Sequence, residues 1–156
     1  MTEEFKPDRK IFIPIDKSER SEHVIRWAKD NLIKPTDLVI LFHVYKDIAS
    51  EVAMIGSGAY ADAIKELEEQ HEKAAFQFVK SYAAIINVGH IHVKGVIIPG
   101  NPKKAIDEQI AIEKPDLIVI GKRGLGKVEQ VFMGSISNHI LHNSSVPVIV
   151  VPPSKE

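Results

Sequence analysis

Short apolar runs alternate along the chain with segments in which apolar residues recur at helical spacing. The first run, residues 11–15, is rich in β-branched side chains and predicts a strand that ends at Asp16. Similar runs predict four more strands, at residues 37–44, 90–98, 116–120 and 146–151. The apolar pattern alone therefore predicts five strands.

The segments between these strands have apolar residues at helical spacing or residues that can cap a helix, and they predict helices. Ser18 can cap a first helix that Pro35 stops, and Asn101 with Pro102 is typical of the start of a helix that includes residues 106–112. A short helix is predicted at residues 134–142, and residues 46–59, which lack periodicity, are predicted to form a long loop. A long helix is predicted from one apolar stripe: Ile64, Leu67, His71, Ala74, Ala75, Phe78 and Tyr82.

The alternation of strands and helices predicts the fold class. Parallel neighbours in a sheet require crossover connections, so the pattern favours an α/β fold with an open, mainly parallel sheet and helices on both faces. We expect a flexible N-terminal tail at residues 1–9 and a single domain at residues 10–153.

Composition and charge narrow the classes of function. Hydrophobic residues make up 44% of the chain and charged residues 26%, which is typical of a globular protein. The formal net charge of −1 gives no general attraction for nucleic acid or an anionic membrane, so neither is an expected partner. The chain contains no cysteine, which excludes disulfides and thiolate sites. Because no apolar run approaches the roughly 18 residues of a membrane span, we expect a cytoplasmic protein.

A glycine-rich stretch after the fourth strand is the most informative candidate site, because ligands of such sheets bind beyond the carboxyl ends of the strands. Gly121 and Gly124 let backbone amides approach a ligand, and a helix that starts at Gly134-Ser135 points its free amides at the same place. Positive charge and hydroxyl donors come from Lys122, Arg123, Lys127, Ser135 and Ser137. The stretch is thus either an anion cradle or an ordinary flexible glycine loop.

Two known phosphate loops fail to match this stretch. Gly121, Gly126 and Lys127 have the spacing of a Walker A loop, but Val128 stands where a magnesium-binding hydroxyl is needed. A dinucleotide fingerprint beginning at Gly124 and Gly126 fails because Glu129 occupies the position of its third glycine. Both interpretations are rejected.

Histidine pairs raise the possibility of a metal site held by side chains. His139 and His142 share a predicted helix face, and His90 and His92 share a strand face. The sequence places no third ligand beside either pair, so no metal-ligating residue is predicted.

The combined motifs resemble the ATP-binding branch of the universal stress protein family. The spacing Gly121-x2-Gly124-x9-Gly134-Ser135 follows an apolar strand, and the resemblance extends over almost the whole chain. It also rests on Ile13-Pro14-Ile15-Asp16-x-Ser18, Leu41-x-His43-Val44, Gly100-x-Pro102 and the closing Val146-Pro-Val-Ile-Val-Val151. Lys122 and Met133 depart from the residues common in the family, which are a small polar residue and Leu.

This resemblance implies an adenine nucleotide alpha hydrolase-like fold with strand order 3-2-1-4-5. It implies a nucleotide-dependent stress or regulatory protein that binds ATP, with Mg²⁺ held through the phosphates, and that forms a homodimer through residues 146–151. Asp16 would lie near the ribose and adenine, Val44 would contact adenine, and the glycines would hold the phosphates. The implied binding residues are Pro14, Ile15, Asp16, Val44, Gly121, Lys122, Arg123, Gly124, Gly134, Ser135, Ile136 and Ser137.

Alternatives of other classes stay open to different degrees. A slow ATPase or phosphotransferase could use the same pocket, although Asp16 is the one candidate base and can equally serve to favour a helix N-terminus. A hydrolase is disfavoured because the nucleophile elbow G-x-S-x-G is absent. A flavodoxin-like carrier is disfavoured because residues 16–21, after the first strand, contain no glycine.

Overall fold

The computed structural model describes residues 5–54, 60–87, 89–122 and 133–154. In chain order they form β1 (Arg9–Pro14), α1 (Glu19–Asn31), β2 (Asp37–Tyr45), α2 (Ile48–Ala53), α3 (Ala61–Ile86), β3 (His92–Pro99), α4 (Pro102–Glu113), β4 (Leu117–Gly121), α5 (Ser135–Asn143) and β5 (Val148–Val151). The proposed division into a tail at 1–9 and a domain at 10–153 stays a prediction.

The strands form one parallel sheet in the order β3-β2-β1-β4-β5, which confirms the α/β class and the expected strand order. β1 pairs with β2 along its whole length, from Arg9 opposite Asp37 to Pro14 opposite Phe42. Its pairing with β4 covers only Ile11 and Phe12. The chain order reverses between β1 and β4, so a crevice is expected at their carboxyl ends.

Helices cover both faces of the sheet and create two hydrophobic cores. One core joins the sheet to α1 and α3 and contains Ile11, Ile13, Ile15, Val24, Ile25, Ala28, Val39, Leu41, Val79, Ile86, Val119 and Val151. The other joins the opposite face to α4 and α5 and contains Phe12, Ile40, Phe42, Ala105, Ile106, Ile118, Ile120 and Ile140. Alternate residues of the central strands enter opposite cores, as the two-residue period of a strand requires.

The predicted loop at 46–59 is wrong in its first half, because residues Ile48–Ala53 form α2. Asp47 caps this helix by accepting a hydrogen bond from the amide of Ser50 at 3.0 Å. Only Ile48 of α2 is buried, so the helix lacks the apolar stripe that would have revealed it in the sequence.

Helix α3 extends beyond the predicted stripe, and part of that stripe lies on its inward face, where Phe78 and Tyr82 pack against the first core. Its 26 residues span roughly 39 Å, whereas the eight residues of β3 span about 26 Å, so the sheet covers only part of the helix. The buried residues are Ala75, Val79 and Ile86, and Leu67 of the predicted stripe is 40% exposed. Across the described ranges, no helix combines the length and apolar composition needed to cross a membrane.

Candidate functional site

A cavity of about 320 Å³ lies where β1, β2 and β4 end and α5 begins. Apolar residues from both cores and a group of hydroxyls and charged groups share its wall. The lining residues are Pro14, Ile15, Asp16, Ser18, Arg20, Ser21, Val24, Phe42, His43, Val44, Pro102, Ile106, Ile120, Gly121, Gly134, Ser135, Ile136 and Ser137. A volume of this size is at the lower end of the range for small-molecule sites.

The turn from β1 into α1 holds a carboxylate at one side of the cavity. Oδ1 of Asp16 accepts hydrogen bonds from the amide of Ser18 and the hydroxyl of Ser21, both at 2.9 Å, and from the Ser18 hydroxyl. Burial raises the pKa of Asp16, but the hydrogen bonds from Ser18 and Ser21 and the charge of Arg20 outweigh it, so the pKa lies below its usual value. Asp16 is therefore an ionised acceptor at neutral pH.

Arg20, in the first turn of α1, brings positive charge into the cavity. Its Nη2 lies 3.7 Å from Oδ2 of Asp16, and a methyl group placed on Gly134 would stand 3.5 Å from its Nη1. The guanidinium therefore lies between the end of β1 and the start of α5. Among the described residues that line the cavity, it is the one cationic side chain.

The end of β4 and the start of α5 form the opposite side of the cavity. A methyl group on Gly121 would meet Cγ2 of Val24 at 2.8 Å, so this glycine is required for the close approach of α1. Gly134 is the N-cap residue of α5 and, having no side chain, leaves the first turn without a side-chain cap. The amides that begin α5 are therefore available to a ligand, and the hydroxyl of Ser137 donates to the carbonyl of Gly121 at 3.4 Å.

The end of β2 supplies a neutral histidine. Nδ1 of His43 lies 3.0 Å from the carbonyl oxygen of Ile15, and because that carbonyl can only accept, Nδ1 carries the proton. Burial lowers the pKa of His43, so the imidazole is uncharged at neutral pH. Its Nε2 is then a hydrogen-bond acceptor, and its ring packs on Phe78 with the centroids 4.6 Å apart.

An apolar wall completes the cavity on the side of α4. Phe42 and Ile120 are each 2% exposed and Ile106 is fully buried, and all three also belong to the second core. Asn101 caps α4 and accepts hydrogen bonds from the amides of Lys103 and Lys104, which holds Pro102 at the edge of the cavity. One part of the cavity is thus apolar, and another is polar and cationic.

Most of the residues expected to bind a ligand come together at this cavity. Those that line it are Pro14, Ile15, Asp16, Val44, Gly121, Gly134, Ser135, Ile136 and Ser137. Lys122 is not among the lining residues, and its amide donates to the carbonyl of Val151 at 2.9 Å. Arg123 and Gly124 lie outside the described residues.

Arg20 was not predicted from the sequence as a site residue. The sequence did contain a sign of its role. A cation in the first turn of a helix lies at the positive end of the helix dipole, where acidic residues are preferred. Glu19 and Glu22 follow that preference in α1 and Arg20 opposes it. Phe42 and Ile106 were also missed, because their apolar character is equally typical of core residues.

One histidine of each predicted pair has a different neighbour in the structure. Nε2 of His139 lies 2.9 Å from both carboxylate oxygens of Asp107, and the ring of His92 stacks on Phe5. Within the described part of the chain, no group of three His, Asp or Glu residues could hold a metal ion.

Comparisons with known proteins cover nearly the whole chain. A model of the universal stress protein family matches residues 8–152. A universal stress protein from Methanocaldococcus jannaschii is 31% identical over 149 residues, which cover 95% of this chain and 85% of that protein.

Solved structures share the fold. A second M. jannaschii protein has a TM-score of 0.72 at 24% identity, with 95% of this chain and 98% of that chain covered. An Arabidopsis thaliana universal stress protein family protein with AMP bound has a TM-score of 0.67 at 14% identity, with 94% and 92% covered. The fold is thus the adenine nucleotide alpha hydrolase-like fold that the motifs implied.

Proposed function

The chain belongs to the universal stress protein family, and we propose that it binds ATP with Mg²⁺ in the cavity between β1 and β4. In this proposal the nucleotide shifts a conformational or partner equilibrium of a stress-response protein, and rapid hydrolysis plays no part. The AMP carried by the related Arabidopsis structure supports an adenine nucleotide as the class of ligand.

The observation that carries the proposal is the polar side of the cavity. The start of α5 has no side-chain cap, Gly134 leaves space in front of it, and the guanidinium of Arg20 faces the same space. Free helix amides and a guanidinium are donors suited to phosphate oxygens. The phosphates are therefore proposed to lie against Gly134, Ser135 and Arg20.

The apolar part of the cavity suits the base and the sugar. Phe42, Ile106 and Ile120 offer an apolar wall to adenine, and Val44 lies near the end of β2 beside them. The ionised carboxylate of Asp16 can accept hydrogen bonds from the ribose hydroxyls. The cavity thus offers each part of the nucleotide a chemically matching surface.

The remaining predicted phosphate contacts stay proposals. Gly121 and Ser137 line the cavity, whereas Lys122, Arg123 and Gly124 are proposed from the glycine motif alone. Mg²⁺, when bound, would neutralise charge on the phosphate oxygens that hold it. The chain's own contribution is to bind and orient the nucleotide.

The hydrogen bonds and the lowered pKa of Asp16 favour slow hydrolysis of ATP. Among the described lining residues it is the one carboxylate, and its oxygen already accepts hydrogen bonds from Ser18 and Ser21. A carboxylate with a lowered pKa is a weak general base. We therefore propose turnover below about 1 s⁻¹, the low end of ordinary enzymes, and a slow ATPase or phosphotransferase is the second candidate function.

Two experiments test nucleotide binding. Denaturing freshly purified protein and separating the supernatant by ion exchange should release an adenine nucleotide. Calorimetric titration with ATP and Mg²⁺ should then show that Gly134→Val lowers the affinity for ATP at least tenfold, because each lost charge-assisted hydrogen bond costs about 1.5–3 kcal/mol. Adenosine should bind the variant as it binds the wild type.

Two substitutions of increasing size at Gly134 distinguish a loss of space for the phosphates from misfolding. The φ of Gly134 is −59°, which any residue can adopt, so circular dichroism should find Gly134→Ala and Gly134→Val folded. Gly134→Ala, whose single methyl group makes ordinary contact with Arg20, should lose less affinity than Gly134→Val. Equal ATP affinity in the wild type and both folded variants would contradict the proposed position of the phosphates.

A further inference from the structure

Arg20 is electrostatically misplaced unless an anion lies beside it. It sits in the first turn of α1, near the positive end of that helix dipole, and its guanidinium also faces the N-cap residue of α5. Both helix ends carry partial positive charge, so they repel a cation. The position is unfavourable for the folded chain alone and favourable for a complex with an anion.

The nearest acid does not neutralise Arg20 well. The contact with Asp16 is 3.7 Å long, beyond hydrogen-bond range, and the Asp16 side chain is 62% exposed. Oδ1 of that carboxylate accepts from Ser18 and Ser21, so the acid already has other partners. An exposed pair of this length contributes little to stability.

The geometry points to Arg20 as a phosphate-binding residue that makes the cavity prefer nucleotides with several phosphates over the free nucleoside. This inference rests on the proposed function and adds to it a residue from α1, outside the glycine motif after β4. The guanidinium lies beside Gly134, where the phosphates are proposed to bind, and its planar set of donors matches phosphate oxygens in a way that a lysine does not.

The packing of the side chain supports this role. A methyl group on Gly121 would stand 3.8 Å from Cβ of Arg20, so the stem of Arg20 passes beside the end of β4 on its way to Gly134. The side chain is 33% exposed, which leaves the guanidinium accessible from the cavity. It therefore reaches from one wall of the site to the other.

The test compares Arg20→Gln and Arg20→Lys with the wild type in calorimetric titrations of adenosine, AMP and ATP with Mg²⁺. Arg20→Gln keeps most of the stem and should lose at least tenfold in ATP affinity, with a smaller loss for AMP and none for adenosine. Arg20→Lys keeps the charge and should recover part of the loss. The matched control is Arg26→Gln, which removes a cation of the same helix that pairs with Glu22, and it should bind all three ligands as the wild type does.

Three results would overturn the inference. ATP binding by Arg20→Gln at wild-type strength would overturn it and leave the proposed function intact. An equal loss for adenosine and ATP would assign Arg20 a purely structural role. A wild-type protein that binds neither adenosine nor ATP would overturn the proposed function itself, and this inference with it.

Discussion

At the scale of single residues, Gly121 shows why a glycine is needed at the end of β4. The sequence suggested that a glycine here lets its backbone amide approach a ligand. A positive φ does not require it, because among the described glycines positive φ values occur at Gly89 and Gly100. The reason at Gly121 is space, because a methyl group there would lie 2.8 Å from Cγ2 of Val24. Close packing of α1 on β4 therefore depends on this position.

Gly121→Ala is expected to lower the free energy of unfolding by about 1–3 kcal/mol, the usual cost of overpacking. Val24→Ala removes the methyl group that the new side chain at position 121 would meet. By itself it destabilises the protein because it leaves a cavity, but in the double variant it should restore part of the stability that Gly121→Ala loses. Urea denaturation of the two single variants and the double variant measures this coupling, which should be about 1 kcal/mol or more. Strict additivity would show that the two residues do not conflict.

At the scale of elements, an ion pair ties the start of β1 to the start of β2. Asp37 is fully buried and accepts hydrogen bonds from Nε and Nη2 of Arg9 at 2.9 and 2.7 Å and from the amide of Lys34 at 2.8 Å. Burial raises the pKa of Asp37, but the bonds from Arg9 and Lys34 outweigh it and bring the pKa below its usual value. Folding therefore favours the ionised carboxylate.

Asp37→Asn is expected to lower the free energy of unfolding at pH 7 by about 1.5–3 kcal/mol. Because the folded pKa is depressed, the stabilisation is present above the unfolded value of about 3.9 and is lost as the pH falls through the folded pKa. Urea denaturation between pH 7 and pH 3 should show that the free energy of unfolding falls less steeply with pH in Asp37→Asn than in the wild type. Asp30→Asn, at an exposed position of α1, is the control, with a change within about 0.5 kcal/mol at pH 7. Parallel declines in Asp37→Asn and the wild type would contradict the lowered pKa of Asp37.

The elements also show what sequence periodicity can predict. All five strands were found, and the central ones were the clearest because strands buried on both faces are nearly continuous in apolar residues. The edge strand β3 is interrupted by Lys94 and Gly95, and β5 begins at Val148 rather than Val146. α2 was missed because it buries Ile48 alone and so has no stripe. The inward face of α3 was predicted correctly at Ala75, Phe78 and Tyr82, whereas Leu67 of the same stripe is 40% exposed. Periodicity detects an apolar face and does not tell how far the neighbouring element extends.

At the scale of the whole molecule, the position of the site followed from topology. Strand order reverses between β1 and β4, and the motif residues after both strands meet there. Arg20 and Phe42 could not be assigned in the same way, because their place at the cavity depends on how α1 and β2 pack over the ends of other strands. Motifs and strand order locate a crevice, whereas its wall is set by long-range packing.

Strand β5 ends the sheet and leaves one edge unpaired within the described residues. The carbonyls of Pro147 and Val151 accept from β4 and its continuation, at the amides of Ile118 and Lys122, both at 2.9 Å. Because successive residues of a strand point their backbone groups to opposite sides, Val148 and Val150 direct theirs away from β4. An apolar edge of this kind invites pairing with another chain.

We propose that two copies of the chain pair through this edge as a symmetric homodimer. Val150→Pro tests the pairing closely, because proline removes the outward amide of Val150, which β4 does not use, and proline is tolerated on edge strands. Light scattering should find a dimer for the wild type at micromolar concentration and a folded monomer for Val150→Pro. A wild-type monomer, or a Val150→Pro dimer as tight as the wild type, would show that β5 is not the interface.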